Sequence, residues 1–182
     1  MIGPARRPRT KIRLDAELYG DTSQICSLTI AALGRQQLFS DTDLAKAAIG
    51  ILKARSTLYG IPVYVYRIMP DHVHLVLSPA DGCDLIAFVA QFKNLVQRAA
   101  WRTGLVGHIW QPRFWDHFLR GDEDLGRTVA YVLANPVRAG LVGTWQEYPY
   151  SGSLVFDNLE LVGDTSRRVA VRTDTSRRVR RP

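Results

Sequence analysis

Met69-Pro70-Asp71-His72-Val73-His74-Leu75-Val76-Leu77-Ser78-Pro79 is the stretch from which the rest of the chain is read. Val and Leu fill four of the seven positions from His72 to Ser78, and a proline stands on either side, so the run reads as a strand. Side chains two apart on a strand share a face. His72 and His74 therefore project together, while Val73, Leu75 and Leu77 line the opposite, core-facing side. Two imidazoles side by side on a rigid strand can hold a divalent metal with little reorganisation. The same pair also arises by chance, with one histidine packed and the other exposed.

A second stretch, Tyr131-Val132-Leu133-Ala134-Asn135-Pro136-Val137-Arg138-Ala139-Gly140-Leu141-Val142, bears on that choice. The pattern predicts a helix from Asp122 to Asn135, with Asp122, Glu123 and Asp124 in its first turn and Pro136 as its stop. Leu125, Val129, Val132 and Leu133 form its apolar stripe. At about 100° per residue, Tyr131 falls roughly 145° from the centre of that stripe. Asn135 is one turn further on and about 40° around from Tyr131. Tyr131 is thus outside the packing face, as a surface residue or as a functional one.

Working outward, Ile25 to Ala32 reads as a strand and Ser40 to Leu58 as a helix, capped by the Ser40–Asp43 cluster, with Leu44, Ala47, Ala48, Ile51, Leu52 and Leu58 as its stripe. Gly60 and Pro62 end that helix. Val63 to Met69 is a strand joined to the histidine strand by a turn at Pro70-Asp71. A second helix, Asp84 to Arg102, carries Leu85, Phe88, Val89, Phe92, Leu95, Val96 and Ala99 at helical spacing. Trp115 to Arg120 is a fourth strand. The order β-α-β-β-α-β-α predicts an α+β fold: a ferredoxin-like antiparallel sheet with two helices on one face. The histidines then occupy the other face, where the tyrosine helix can dock.

The chain resembles the REP-associated tyrosine transposases, a branch of the single-tyrosine, HUH-type transposases. The resemblance runs from about Cys26 to Ser153 and rests on three motifs in order: Met69 to Val76, Trp110-Gln111-Pro112-Arg113-Phe114-Trp115-Asp116, and Tyr131 to Val142. It implies an HUH nuclease fold with a C-terminal tyrosine-bearing helix. It also implies nicking and strand transfer on single-stranded DNA, with REP-like palindromic hairpins as targets. Tyr131 would be the nucleophile and would form a 5′-phosphotyrosine; His72 and His74 would be metal ligands. The family's third ligand lies four residues after the tyrosine, here Asn135, whose other reading is a helix C-cap. An amide oxygen is a weaker ligand than a carboxylate, so the expected ion is exchangeable Mg²⁺ or Mn²⁺. A monomer is expected by analogy with the REP-associated branch.

Charge is concentrated at the ends. The 182 residues carry a net +7, but residues 1–13 hold five basic residues and no acid. Residues 164–182 hold seven arginines against Asp164 and Asp174, and residues 14–163 have 12 basic and 15 acidic residues. DNA binding by the domain must therefore be sought in local patches. The candidates are Lys93, Arg98 and Arg102 on the second helix, with Arg113, Arg120 and Arg138 around the fourth strand and tyrosine helix. Trp110, Phe114 and Trp115 are candidates to stack unpaired bases or to pack in the core. The sequence divides into a basic arm (1–20), the HUH domain (21–160) and an Arg-rich tail (161–182). Asp164-Thr165-Ser166-Arg167-Arg168-Val169 recurs in that tail as Asp174-Thr175-Ser176-Arg177-Arg178-Val179, and the composition predicts disorder.

Two cysteines, Cys26 and Cys83, are too few for a disulfide scaffold or a zinc cluster. With no apolar leader and no membrane-length apolar stretch, a cytoplasmic protein without membrane contact is expected. Two other functions stay open: a catalytically silent nucleic-acid-binding module of the same fold, and a metal-dependent phosphodiester hydrolase in which Tyr131 is incidental.

Overall fold

The computed structural model describes residues 16–120 and 123–157. The Arg-rich tail, all but the end of the basic arm, and Asp122 lie outside the described residues.

The chain runs β1 (Cys26–Ala31), α1 (Thr42–Tyr59), β2 (Val63–Met69), β3 (His72–Leu77), α2 (Leu85–Arg102), β4 (Trp115–Phe118), α3 (Leu125–Leu133), α4 (Asn135–Arg138) and β5 (Ser151–Gly152). The strands form one antiparallel sheet in the order β4-β1-β3-β2-β5. Its first four strands have the expected ferredoxin-like order. Local chemistry sets the ends of α1: the Asp41 carboxylate accepts from the Asp43 and Leu44 amides, and Gly60 leaves the helix at φ 66°. Asp84 caps α2 in the same way.

Alternation divides the sheet into two faces. Leu28 and Ile30 of β1 and Val73, Leu75 and Leu77 of β3 are fully buried, in one core with Leu44, Ala48 and Leu52 of α1 and Phe88, Phe92 and Val96 of α2. Burying these side chains is the dominant stabilising contribution, about 1.5–3 kcal/mol for each large one. On the other face a smaller cluster joins Val65 and Val76 to Val129, Val132 and Leu133 of α3. The tyrosine helix is thus anchored by its predicted stripe on the face opposite the main core.

Several expectations need correction. Leu58 is 63% exposed rather than part of the α1 stripe; six residues beyond Leu52 it has rotated about 240° away, and Ser56 takes the inward position. Strand β4 stops at Phe118, short of Arg120. Helix α3 begins at Leu125, after its N-cap Asp124, so Glu123 is not in its first turn. Pro136 does not simply end the helix. It occupies the opening turn of α4, where its missing N–H costs nothing, and only Ala134 separates the two segments. The two-residue β5 was not foreseen, because Ser151-Gly152 shows no apolar alternation.

Candidate active site

The face of the sheet away from the main core carries the polar residues of the site. His74 of β3 pairs across the sheet with Thr29 of β1 on one side and Arg67 of β2 on the other. Thr29 in turn faces Trp115 of β4, and Ser27 faces His117. Helix α3 lies over this row and presents Arg127, Thr128, Tyr131 and Val132. Between sheet and helix is a cleft of about 640 Å³ in which His74 and Tyr131 are both lining residues.

His72 and His74 point at one another, Nε2 to Nε2 at 2.9 Å. Their outer nitrogens are held from behind: His72 Nδ1 lies 2.5 Å from Asp71 Oδ1, and His74 Nδ1 lies 2.9 Å from Thr29 Oγ1. Asp71 is held in turn by Arg35, 3.2 Å from its other oxygen. Were Nδ1–H donated outward on both rings, both Nε2 lone pairs would be free for one cation, the tautomer a shared cation requires. Burial, then the neighbouring charges of His72, Arg138, Arg67 and Arg35, pulls His74 down to about 3. It is therefore neutral at physiological pH, the form that ligates metal. The two histidines fit a divalent ion. Among the described residues no third His, Cys, Asp or Glu completes a metal-holding group with them.

Tyr131 is 62% exposed, as its position off the stripe predicts. The Arg138 guanidinium lies over its ring at 4.1 Å from the centroid. The same guanidinium donates to Asn135 Oδ1, whose Nδ2 donates to the Val132 carbonyl at 3.2 Å. Both ends of the Asn135 amide are thus occupied locally, one by Val132 of α3 and the other by Arg138 of α4.

The basic residues fall into separate regions. Helix α2 packs on the main-core face, which puts Lys93, Arg98 and Arg102 on the opposite layer from the cleft. Lys93 donates to the Gln111 carbonyl at 2.7 Å and so ties α2 to the segment before β4. Arg98, Arg102, Arg113 and Arg120 are exposed. Of the three aromatics, Trp110 is core and donates from Nε1 to the Lys93 carbonyl at 3.0 Å. Phe114 packs partly against the core, and Trp115 is 59% exposed and stacked on His117.

Sequence reasoning missed four contributors. Arg127 and Thr128 sit one turn before Tyr131, at the i−4 and i−3 spacing that puts them on its face; that signal was present. His117, bonded to Glu123 at 2.6 Å, and Thr29 enter through sheet register, which no local pattern discloses.

The fold and this arrangement define the class: an HUH-type α+β protein with a His-x-His strand facing a tyrosine-bearing helix. The profile described as Transposase IS200 like matches residues 24–132, and the chain belongs to that family. It is 32% identical over 89 residues to the REP-associated tyrosine transposase of Escherichia coli K12, a match covering 49% of this chain and 52% of the relative. It is 33% identical over 95 residues to the Haemophilus influenzae counterpart, covering 46% and 54%. The matches thus span about half the length of these relatives. A solved REP-associated tyrosine transposase bound to a REP hairpin superposes with a TM-score of 0.64 at 24% identity, over 78% of this chain and 81% of the other. The resemblance read in the sequence is confirmed, as is the fold class. Among the described residues no helix is long and apolar enough to cross a membrane.

Proposed function

We propose that this protein nicks and rejoins single-stranded DNA through Tyr131, on hairpin-bearing targets of the REP type. The observation that carries the reading is that Tyr131 and His74 line one cleft although they are 57 positions apart in the chain.

Tyr131 Oη attacks the scissile phosphorus and releases its proton to water, which its exposure admits. The bond from phosphorus to the 3′-oxygen breaks, and that oxygen takes a proton from solvent. A 5′-phosphotyrosine and a free 3′-hydroxyl result. The ester bond to Tyr131 conserves the energy of the broken linkage, so a 3′-hydroxyl can reverse the step without ATP. Mg²⁺ or Mn²⁺ held by His72 and His74, with Asn135 as third ligand, would supply Lewis-acid charge at the non-bridging oxygens. To take that role Asn135 would have to release or share its bond with Arg138. Arg127 and Arg138, beside the cleft, are assigned to phosphates near the scissile position. Arg113 and Arg120 are assigned to the strand as it leaves, and Arg98 and Arg102 to flanking DNA that reaches the far layer.

The test is a denaturing gel of the protein with a labelled hairpin oligonucleotide and Mn²⁺. A covalent protein–DNA adduct is expected from the wild type and none from Tyr131→Phe. Undiminished nicking by the phenylalanine variant would instead make the protein a hydrolase. Tight hairpin binding with no nicking by the wild type would make it a silent binding module.

A further inference from the structure

Arg67 is the charged group that this mechanism leaves without a part. It lies in β2 directly opposite His74, and directly opposite side chains of an antiparallel pair have Cβ atoms about 4.5–5.5 Å apart on one face. It is 0% exposed. None of its three guanidinium nitrogens has a hydrogen-bond partner. The Tyr148 ring, 5.4 Å from its Cζ, offers an aromatic face and no negative charge, since burial pushes that phenol up to about 12 and its hydroxyl donates to the Ile68 carbonyl. Burial draws Arg67 itself down only to about 10, so it remains cationic at neutral pH.

A buried guanidinium without an acid is costly. Nothing in the packing of β2 requires one, because its same-face neighbours Val65 and Met69 are apolar and buried. The remaining charges at the histidine pair do not offset it. Asp71 divides its two oxygens between His72 and Arg35, and Arg138 adds a second cation from the helix side. The histidine pair therefore sits in a positive field that opposes a divalent cation and attracts a phosphate.

We propose that Arg67 makes metal and DNA loading interdependent: its buried charge weakens cation binding to His72 and His74 in the DNA-free protein, and a DNA phosphate brought to the site relieves that repulsion. By linkage, the factor by which DNA tightens the metal equals the factor by which the metal tightens DNA. The free protein would then hold little metal, and the site would be charged only where a strand is in place. The inference rests on the metal-dependent reading above.

The experiment measures Mn²⁺ binding by electron paramagnetic resonance in the full-length chain carrying Tyr131→Phe, so that DNA is not consumed, with and without single-stranded oligothymidine. Two unit charges a few ångströms apart, at an effective dielectric near 20, interact strongly enough to change an affinity by about tenfold or more. Mn²⁺ is thus expected to bind at least about tenfold tighter with oligothymidine than without. The neutral variants Arg67→Met and Arg67→Gln should each tighten DNA-free Mn²⁺ binding by about that factor and shrink the coupling, whereas Arg67→Lys should behave as the parent. If one neutral variant fails to fold by circular dichroism, the other decides. An Mn²⁺ affinity that oligothymidine leaves unchanged in the parent overturns the proposal, as does one that neither neutral variant alters. No Mn²⁺ binding under any condition overturns it together with the metal reading on which it rests.

Discussion

Thr29 Oγ1 stands 2.9 Å from His74 Nδ1, across the β1–β3 pair that also sets those two residues opposite one another. In the metal-holding tautomer the hydroxyl would accept the Nδ1 proton of His74 and so free its Nε2 lone pair for a cation. Outer-shell partners of this kind commonly contribute 10–100-fold in metal affinity. Thr29→Val keeps the shape and β-branching of the side chain but removes the acceptor. Mn²⁺ affinity, measured calorimetrically with oligonucleotide present, is expected to fall by about tenfold or more, with the circular dichroism spectrum unchanged.

Removing the metal site should separate chemistry from binding. His74→Ala, or chelation of the wild type, is expected to abolish nicking and adduct formation while hairpin affinity, read by fluorescence anisotropy at fixed salt, falls only by the roughly tenfold factor that coupling to the metal supplies. Most of that affinity comes from phosphate contacts made by other residues. A parallel collapse of binding would place the recognition surface at the histidines themselves.

Lys93, expected among the DNA contacts, donates to the Gln111 carbonyl and so also ties α2 to the segment before β4. Lys93→Met should cost about 1–3 kcal/mol, the range for a bond from a charged donor or for a carbonyl left unpaired. The melting temperature should drop accordingly. Hairpin affinity of the folded variant should be nearly unchanged, whereas the exposed Arg127→Ala in the cleft should weaken it and flatten its salt dependence.

Two glycines should respond in opposite directions. A Cβ at Gly152 would stand 2.5 Å from Tyr66 Oη and 2.8 Å from Tyr66 Cζ, with that ring buried. Gly152→Ala should therefore destabilise the β2–β5 edge by about 1–3 kcal/mol. Gly50, inside α1, has nothing within 4 Å of such a carbon. Gly50→Ala should stabilise by roughly 0.5–1 kcal/mol. Urea midpoints with unchanged m-values would record both.

Cys26 should be inert in the folded protein. It is 0% exposed in β1, and burial pushes its thiol up to about 12. Because the thiolate is the reactive form, alkylation at pH 8 should proceed only through unfolding. Its rate should track the unfolding equilibrium as urea is raised, which mass spectrometry of the modified peptide can follow.

Much of the fold was legible because local chemistry and periodicity agreed. Alternation in His72–Leu77 assigned its two faces correctly, since a strand's period of two leaves no other choice once Val73, Leu75 and Leu77 are inside. The stripe of α3 set Tyr131 outside the packing, and it is exposed. Where longer-range geometry ruled, the pattern was silent or misleading. Leu58 is apolar yet turned to solvent, and Ser151-Gly152 becomes a strand only because β2 offers it an edge.

The sequence by itself determined the element order, the sheet face of the histidines and the helix face of Tyr131, because each is a consequence of backbone period and hydrophobic pattern over a few residues. Tertiary structure alone decided what stands around them. Strand register set Thr29 and Arg67 on either side of His74, and the layer in which α2 packs took Lys93, Arg98 and Arg102 away from the cleft. Those relations join residues up to dozens of positions apart. They depend on how strands align and layers stack, which no short-range periodicity encodes.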